Sequence, residues 1–259
     1  MRKVSFIAAV LLLVSASAGA SGGGSGDIKL LDPGVDLKDV ASLRRGAKLF
    51  VNYCVSCHSA SLARYNRMAT DMGLTDDQVK INMAFATDKV GDVMKVAISS
   101  EDAAAWFGTE PPDLSVVSRS RGIDWLYSYL LGFYKDMDPS RLFGVNNVVF
   151  SDVAMPHVLL RLQGVQERLD AGAGKEPSYE MDRVLGLGLA KLGVMDVTDY
   201  RNAAADLAAF LAYLGEPTKL QRQQVGVWVL LFLAVLFIFS YGLKKEYWKD
   251  VKGMWGSGK

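Results

Sequence analysis

Cys54-Val55-Ser56-Cys57-His58 holds both cysteines of this 259-residue chain and one of its two histidines. A pair of cysteines three apart has several uses. In an exported protein it forms a disulfide, and within a βαβ frame it forms a thioredoxin-like redox pair. With a second Cys/His cluster it closes a zinc site. Zinc fails here because no second cluster supplies a fourth ligand, and the redox pair fails because the βαβ pattern is missing. The adjacent His58 decides among the readings. Cys-x-x-Cys-His is the attachment pattern of a c-type haem, in which two thiols add to the vinyl groups and the imidazole becomes the proximal iron ligand.

Working outward, Val40, Leu43, Ala47 and Phe50 share one face of a predicted helix that ends at the motif. Thr75 and Gln78 form a capping box that predicts a helix running through Met83. Leu207, Phe210, Leu211 and Leu214 give an i, i+3, i+4, i+7 stripe, with Gly215 and Pro217 as stop signals. From Phe85 to Phe150 the periodicity fades while Gly, Pro, Asp and aromatic residues accumulate, which predicts loops and short helices packed around something other than the chain itself. Little of the chain alternates as a strand would. The expected fold class is mostly α.

The two ends read differently from the middle. Residues 1–20 carry Arg2 and Lys3, an apolar run from Phe6 to Val14 and the small-residue pattern Ala18-Gly19-Ala20, as a cleavable secretory signal does. The Gly/Ser run that follows places a flexible spacer at 21–35. Val225 to Leu243 is free of charge and reaches roughly 28 Å as a helix, against about 30 Å of bilayer hydrocarbon. Lys244, Lys245, Lys249 and Lys252 follow it, so the positive-inside rule puts the 244–259 tail in the cytoplasm and the 36–220 domain on the periplasmic side of a bacterial cell membrane. Lipid is thus an expected partner.

Charge excludes one class of partner. Lys and Arg number 29 against 28 acids, so the chain lacks the basic footprint of nucleic-acid binding. Setting aside the two basic residues at the start, and the five lysines and two acids of the tail, leaves 22 basic and 26 acidic residues, a net charge of −4. That bias favours a basic partner. Acid pairs such as Asp76 and Asp77, or Glu101 and Asp102, read as helix N-terminal or loop charges rather than as general acids and bases.

The sixth iron position separates an electron carrier from a ligand-binding haem. Beyond the initiator, the candidates are Met68, Met72, Met83, Met94, Met137, Met155, Met181, Met195 and Met254, together with His157. Met254 falls in the cytoplasmic tail. Most methionines fill gaps in a core. Met155-Pro156 follows the irregular region, where a rigid loop could present a thioether opposite His58, and it leads the candidates with His157 as its rival.

Four segments in this order resemble the cytochrome c1 family in its bacterial form: RRGAKLFVNYCVSCHSAS from Arg44 to Ser61, RYNRM from Arg64 to Met68, AWFGTEPPDLSVVSRSRG from Ala105 to Gly122, and VAMPHVL from Val153 to Leu159. A single C-terminal anchor completes the match. The resemblance implies a class I cytochrome c-like haem domain with long loops plus one C-terminal transmembrane helix. It implies one covalent haem c on Cys54 and Cys57, with His58 and Met155 as axial ligands, and a Pro111 to Arg121 segment at the haem edge. Pro112 is then a haem contact, and Arg121, preferred to Arg119 by spacing, pairs with a propionate. One departure is that mitochondrial relatives place two prolines shortly after the axial methionine, whereas Pro156 and His157 follow Met155 here. The implied partners are cytochrome b, a Rieske iron–sulfur protein and a cytochrome c acceptor in a dimeric complex, with catalysis belonging to the assembly. Two other readings stay open: a membrane-anchored monohaem carrier feeding a terminal oxidase, and a haem enzyme or gas-binding protein.

Overall fold

Helix α1, Val40–Tyr53, starts where the Asp39 carboxylate accepts the Ala41 and Ser42 amides, and it buries Leu43, Gly46, Ala47, Phe50 and Val51. The computed structural model describes residues 28–96, 98–169 and 184–256. The expected signal segment, the first part of the spacer, and Met181 lie outside them. After α1 come β1 (Ala60–Arg64), α2 (Tyr65–Met72), α3 (Asp76–Asn82), β2 (Val93–Met94), α4 (Ser100–Phe107), α5 (Val117–Arg121) and α6 (Ile123–Leu131). The order continues with β3 (Phe133–Lys135), β4 (Val145–Asn147), α7 (Leu160–Gln163), β5 (Gly164–Arg168), β6 (Leu187–Leu192), α8 (Val197–Gly215) and α9 (Lys219–Gly256).

The fold is mostly helical, and the capping box holds. The Thr75 hydroxyl accepts the Gln78 amide at 3.2 Å while the Thr75 amide donates to the Gln78 side chain at 2.9 Å. Asp76, Asp77, Glu101 and Asp102 occupy the first turns of α3 and α4, where acids complement the helix dipole. Strand structure exceeds the expectation. Three antiparallel pairs, β1–β2, β3–β4 and β5–β6, cross-link the irregular regions. Their strands run from two to six residues, and two of the pairs shift register, so no period-2 pattern builds up in the sequence. The expected spacer is also shorter than predicted, because Leu31 is buried and its amide donates to the buried Ser128 hydroxyl at 2.8 Å.

The core is organised by the crossing of α1 and α8. A Cβ added to Gly46 would lie 2.0 Å from the Asp206 carbonyl oxygen, so the two backbones approach as closely as they do only because Gly46 has no side chain. One turn on, Phe50 and Phe210 pack with ring centroids 5.3 Å apart. Beside the crossing, Arg45 grips Asp206 with two N–H···O bonds of 2.6 and 2.9 Å. Further along α8 the Tyr200 hydroxyl donates to the Leu130 carbonyl, and the Tyr213 hydroxyl to Asp71. Helix α8 therefore ties α1, α2 and α6 into one framework, and α1 delivers the cysteines from it.

Contacts divide the chain between Gly215 and Glu216. The second unit is α9, which extends the predicted Val225–Leu243 span at both ends. Lys219–Lys249 is long and apolar enough to cross a membrane, and none of its apolar window is buried by the protein. Side chains such as Trp228, 75% exposed, thus require a non-aqueous surrounding.

Candidate haem site

Cys54 caps α1, its amide still bonded to the Phe50 carbonyl at 2.8 Å. The chain then folds back, with the Cys57 and His58 amides both donating to the Cys54 carbonyl at 3.0 and 2.8 Å. This turn places two unpaired thiols and the imidazole within one short arc. Burial pushes the Cys54 thiol up to about 12, so it is protonated at neutral pH.

His58 is oriented by a distant segment. Its Nδ1 lies 2.8 Å from the Pro112 carbonyl oxygen, which can only accept, so Nδ1 carries the proton and Nε2 keeps its lone pair. Burial lowers the imidazole pKa, outweighing the Pro112 carbonyl and the Asp113 charge, which both raise it. The result favours the neutral ring that binds metals. Pro112 is fixed in turn because its neighbours are sewn to β1. Asp113 accepts the Ser61 amide at 2.9 Å and the Ser115 amide at 2.8 Å, the Ser115 hydroxyl accepts the Leu62 amide, and the Leu114 amide donates to the Ser59 carbonyl. Burial works against the Asp113 charge, but the bonds from Ser115 and Ser61 outweigh it and hold the carboxyl below its usual range.

These segments wall a largely apolar cleft, open to solvent on one side. Tyr53, Cys57 and His58 form one side, Phe107, Thr109, Pro111 and Pro112 another, and Ala154, Met155, Pro156 and Val158 a third. The Cys57 thiol, an imidazole with Nε2 available and a thioether border one apolar space, with the second free thiol in the same turn, and together they are a donor set that fits a haem.

Of the residues expected from sequence, Cys57, His58, Pro112 and Met155 line the cleft, with Cys54 buried behind Cys57 in the turn. His157 does not line it. Its ring stacks flat on Phe133, centroids 4.7 Å apart and 3° from parallel, and burial pushes its pKa down to about 4. Arg121 stands over the faces of Trp125 and Phe150 at 5.2 and 5.9 Å, beside the cleft rather than in its wall. Arg119 instead lies along α8, where its stem comes within 3.3 Å of the position a Gly215 Cβ would take.

Two residues escaped the sequence reading. The Tyr129 hydroxyl donates to Met155 Sδ at 3.3 Å. Asn147, almost fully buried, donates to the Tyr129 carbonyl and accepts the Val149 and Phe150 amides, which shapes the start of the loop carrying Met155. Trp125, Tyr129 and Phe133 recur every fourth residue, and that aromatic ladder was the available sign of Tyr129.

The cytochrome C1 family model matches residues 35–251, which span the helical domain, the cleft and most of α9. The chain belongs to the cytochrome c1 family. Cytochrome c1 of Allochromatium vinosum is 46% identical, covering 97% of this chain and all of its own. A protein of Nitrosomonas europaea named ammonia monooxygenase gamma subunit is 42% identical, over 97% of this chain and all of its own. The mitochondrial cytochrome c1 haem protein of Saccharomyces cerevisiae is 26% identical, over 83% of this chain and 68% of its own. As a member of this family the protein carries one covalently bound haem c and serves respiratory electron transport.

Proposed function

We propose that this cytochrome c1 family member takes single electrons from a Rieske iron–sulfur protein and hands them to a cytochrome c, beside cytochrome b in a dimeric bc1 complex of a bacterial cell membrane. Cys54 and Cys57 would hold the haem by thioether bonds, and His58 Nε2 and Met155 Sδ would supply its iron ligands. The observation that carries the reading is that His58 and Met155, nearly a hundred residues apart, border one apolar cleft beside the Cys54–Cys57 turn.

The bound haem supplies a one-electron couple. The chain's task is to hold it still and dry. His58 is locked in one tautomer by Pro112, so its ligand nitrogen needs no rearrangement between oxidation states. Pro111, Pro112, Pro156 and Val158 exclude water from the cleft. Met155 as an iron ligand would close the metal to small molecules. Arg121, spread over two aromatic faces, keeps N–H groups in its plane for a propionate.

Helix α9 anchors the protein in lipid. The lysines from Lys244 onward support a cytoplasmic C-terminus and a periplasmic haem domain, in keeping with the signal pattern at residues 1–20. Pulldown of a C-terminally tagged chain from mild-detergent extracts tests the partners. Recovery of a b-type cytochrome and a Rieske protein, with quinol-dependent reduction of cytochrome c, is the expected result. The name of the Nitrosomonas relative favours a second reading, in which the chain joins a monooxygenase assembly. Recovery of monooxygenase subunits in the same pulldown would support that, and recovery of a terminal oxidase would support an oxidase-feeding carrier.

A further inference from the structure

We propose that Tyr129 is a positioning residue that sets how strongly the Met155 thioether donates to iron, and so raises the reduction potential of the site; this rests on the reading of Met155 as an axial ligand. A thioether is a weak hydrogen-bond acceptor, and a buried phenol is ordinarily paired with a carbonyl or carboxylate. Tyr129 gives its hydroxyl to Met155 Sδ instead, at 3.3 Å. Met155 lines the cleft and Tyr129 does not, so the bond ties a cleft residue to the helix α6 framework.

Little freedom remains for that hydroxyl. The Tyr129 ring stacks on Trp125 with centroids 5.0 Å apart and an interplanar angle of 11°, and Phe133 meets it edge-on at 5.2 Å. Its carbonyl is held by the buried Asn147 side chain at 2.8 Å. Sulfur has two lone pairs, one for a metal and one for the Tyr129 proton. The positive end of the O–H dipole then draws electron density from the sulfur. That opposes the extra positive charge of the oxidised site and favours the reduced one. The bond also restricts rotation of the methionine side chain, so the sulfur is held ready for the iron.

Tyr129→Phe keeps the ring, its stacking and its edge contact, and removes only the hydroxyl. The test is a redox titration of the detergent-solubilised holoprotein, with the red-edge absorption band of thioether-to-iron charge transfer recorded alongside. We expect the variant to keep the band and to lower the potential, shifting the reduction equilibrium up to tenfold, which is about 59 mV for a one-electron couple. An unchanged potential with the band retained overturns the role of Tyr129 and leaves Met155 as ligand. A band missing from the unmodified protein overturns the ligation by Met155 and the role of Tyr129 together.

Discussion

His58 Nδ1 donates to the Pro112 carbonyl oxygen at 2.8 Å, across 54 residues of chain. The bond uses the proline's backbone and not its ring. Pro112→Ala should therefore keep the His58 ligation signature in the haem spectrum, and cost about 0.4–1 kcal/mol through added freedom of the unfolded chain. Chemical denaturation together with the absorption spectrum checks this.

Asp113→Ala, one residue on, should do more damage. It removes the acceptor of the Ser61 and Ser115 amides, and the loss should be about 1–2 kcal/mol at neutral pH, the lower part of the range because the side chain is partly exposed. The folded carboxyl sits below its ordinary value of 3.8. Its contribution is thus present above that value and is lost as the pH falls through the folded pKa. Denaturation at stepped pH should show the variant and the unmodified protein converging in acid.

Gly46→Ala forces a methyl group against the Asp206 carbonyl at 2.0 Å. Backbone meets backbone there, so neither side yields cheaply. We expect a loss of about 3 kcal/mol, at the top of the usual range for overpacking, read as a lower denaturation midpoint.

Met155→Leu removes the thioether and leaves a similar volume. The reduction equilibrium should shift by tenfold or more toward the oxidised form, about 59 mV per factor of ten, and the reduced protein should bind carbon monoxide. Redox titration and a carbon monoxide difference spectrum measure the two effects.

Asn147→Leu removes the donor to the Tyr129 carbonyl, which keeps only the Gly132 amide, and the side-chain acceptor of the Val149 and Phe150 amides. Each loses a buried partner, for a total of about 2–4 kcal/mol. Because these bonds shape the loop toward Met155, carbon monoxide should also gain access in this variant, more slowly than in Met155→Leu.

What could be read from sequence was what short-range chemistry writes. Cys54 to His58 form one turn, Thr75 and Gln78 are one helical turn apart, and the Leu207 to Leu214 stripe lies on one helix face. Met155 was reachable because a proline loop after an irregular region is a local feature. Resemblance singled out Pro112, but only the fold showed that its carbonyl is the part that acts. The Tyr129–Met155 bond spans 26 residues between α6 and a loop, and nothing local records such a pairing. Arg121 and Arg119 were close to equivalent in sequence, and their separation came from Trp125 and Phe150 on one side and α8 on the other. His157 illustrates the converse, since a metal-binding residue type beside Met155 proved to be occupied by stacking on Phe133.

The crossing of α1 with α8 also fixes an order of events during synthesis. Gly46 and Arg45 are made 160 residues or so before Asp206, so the crossing that completes the core cannot form until nearly the whole domain has been made. In the folded domain Cys54 is 8% exposed and its thiol is held protonated. A chain cut short of α8 would therefore leave α1 without the backbone that Gly46 is shaped to meet.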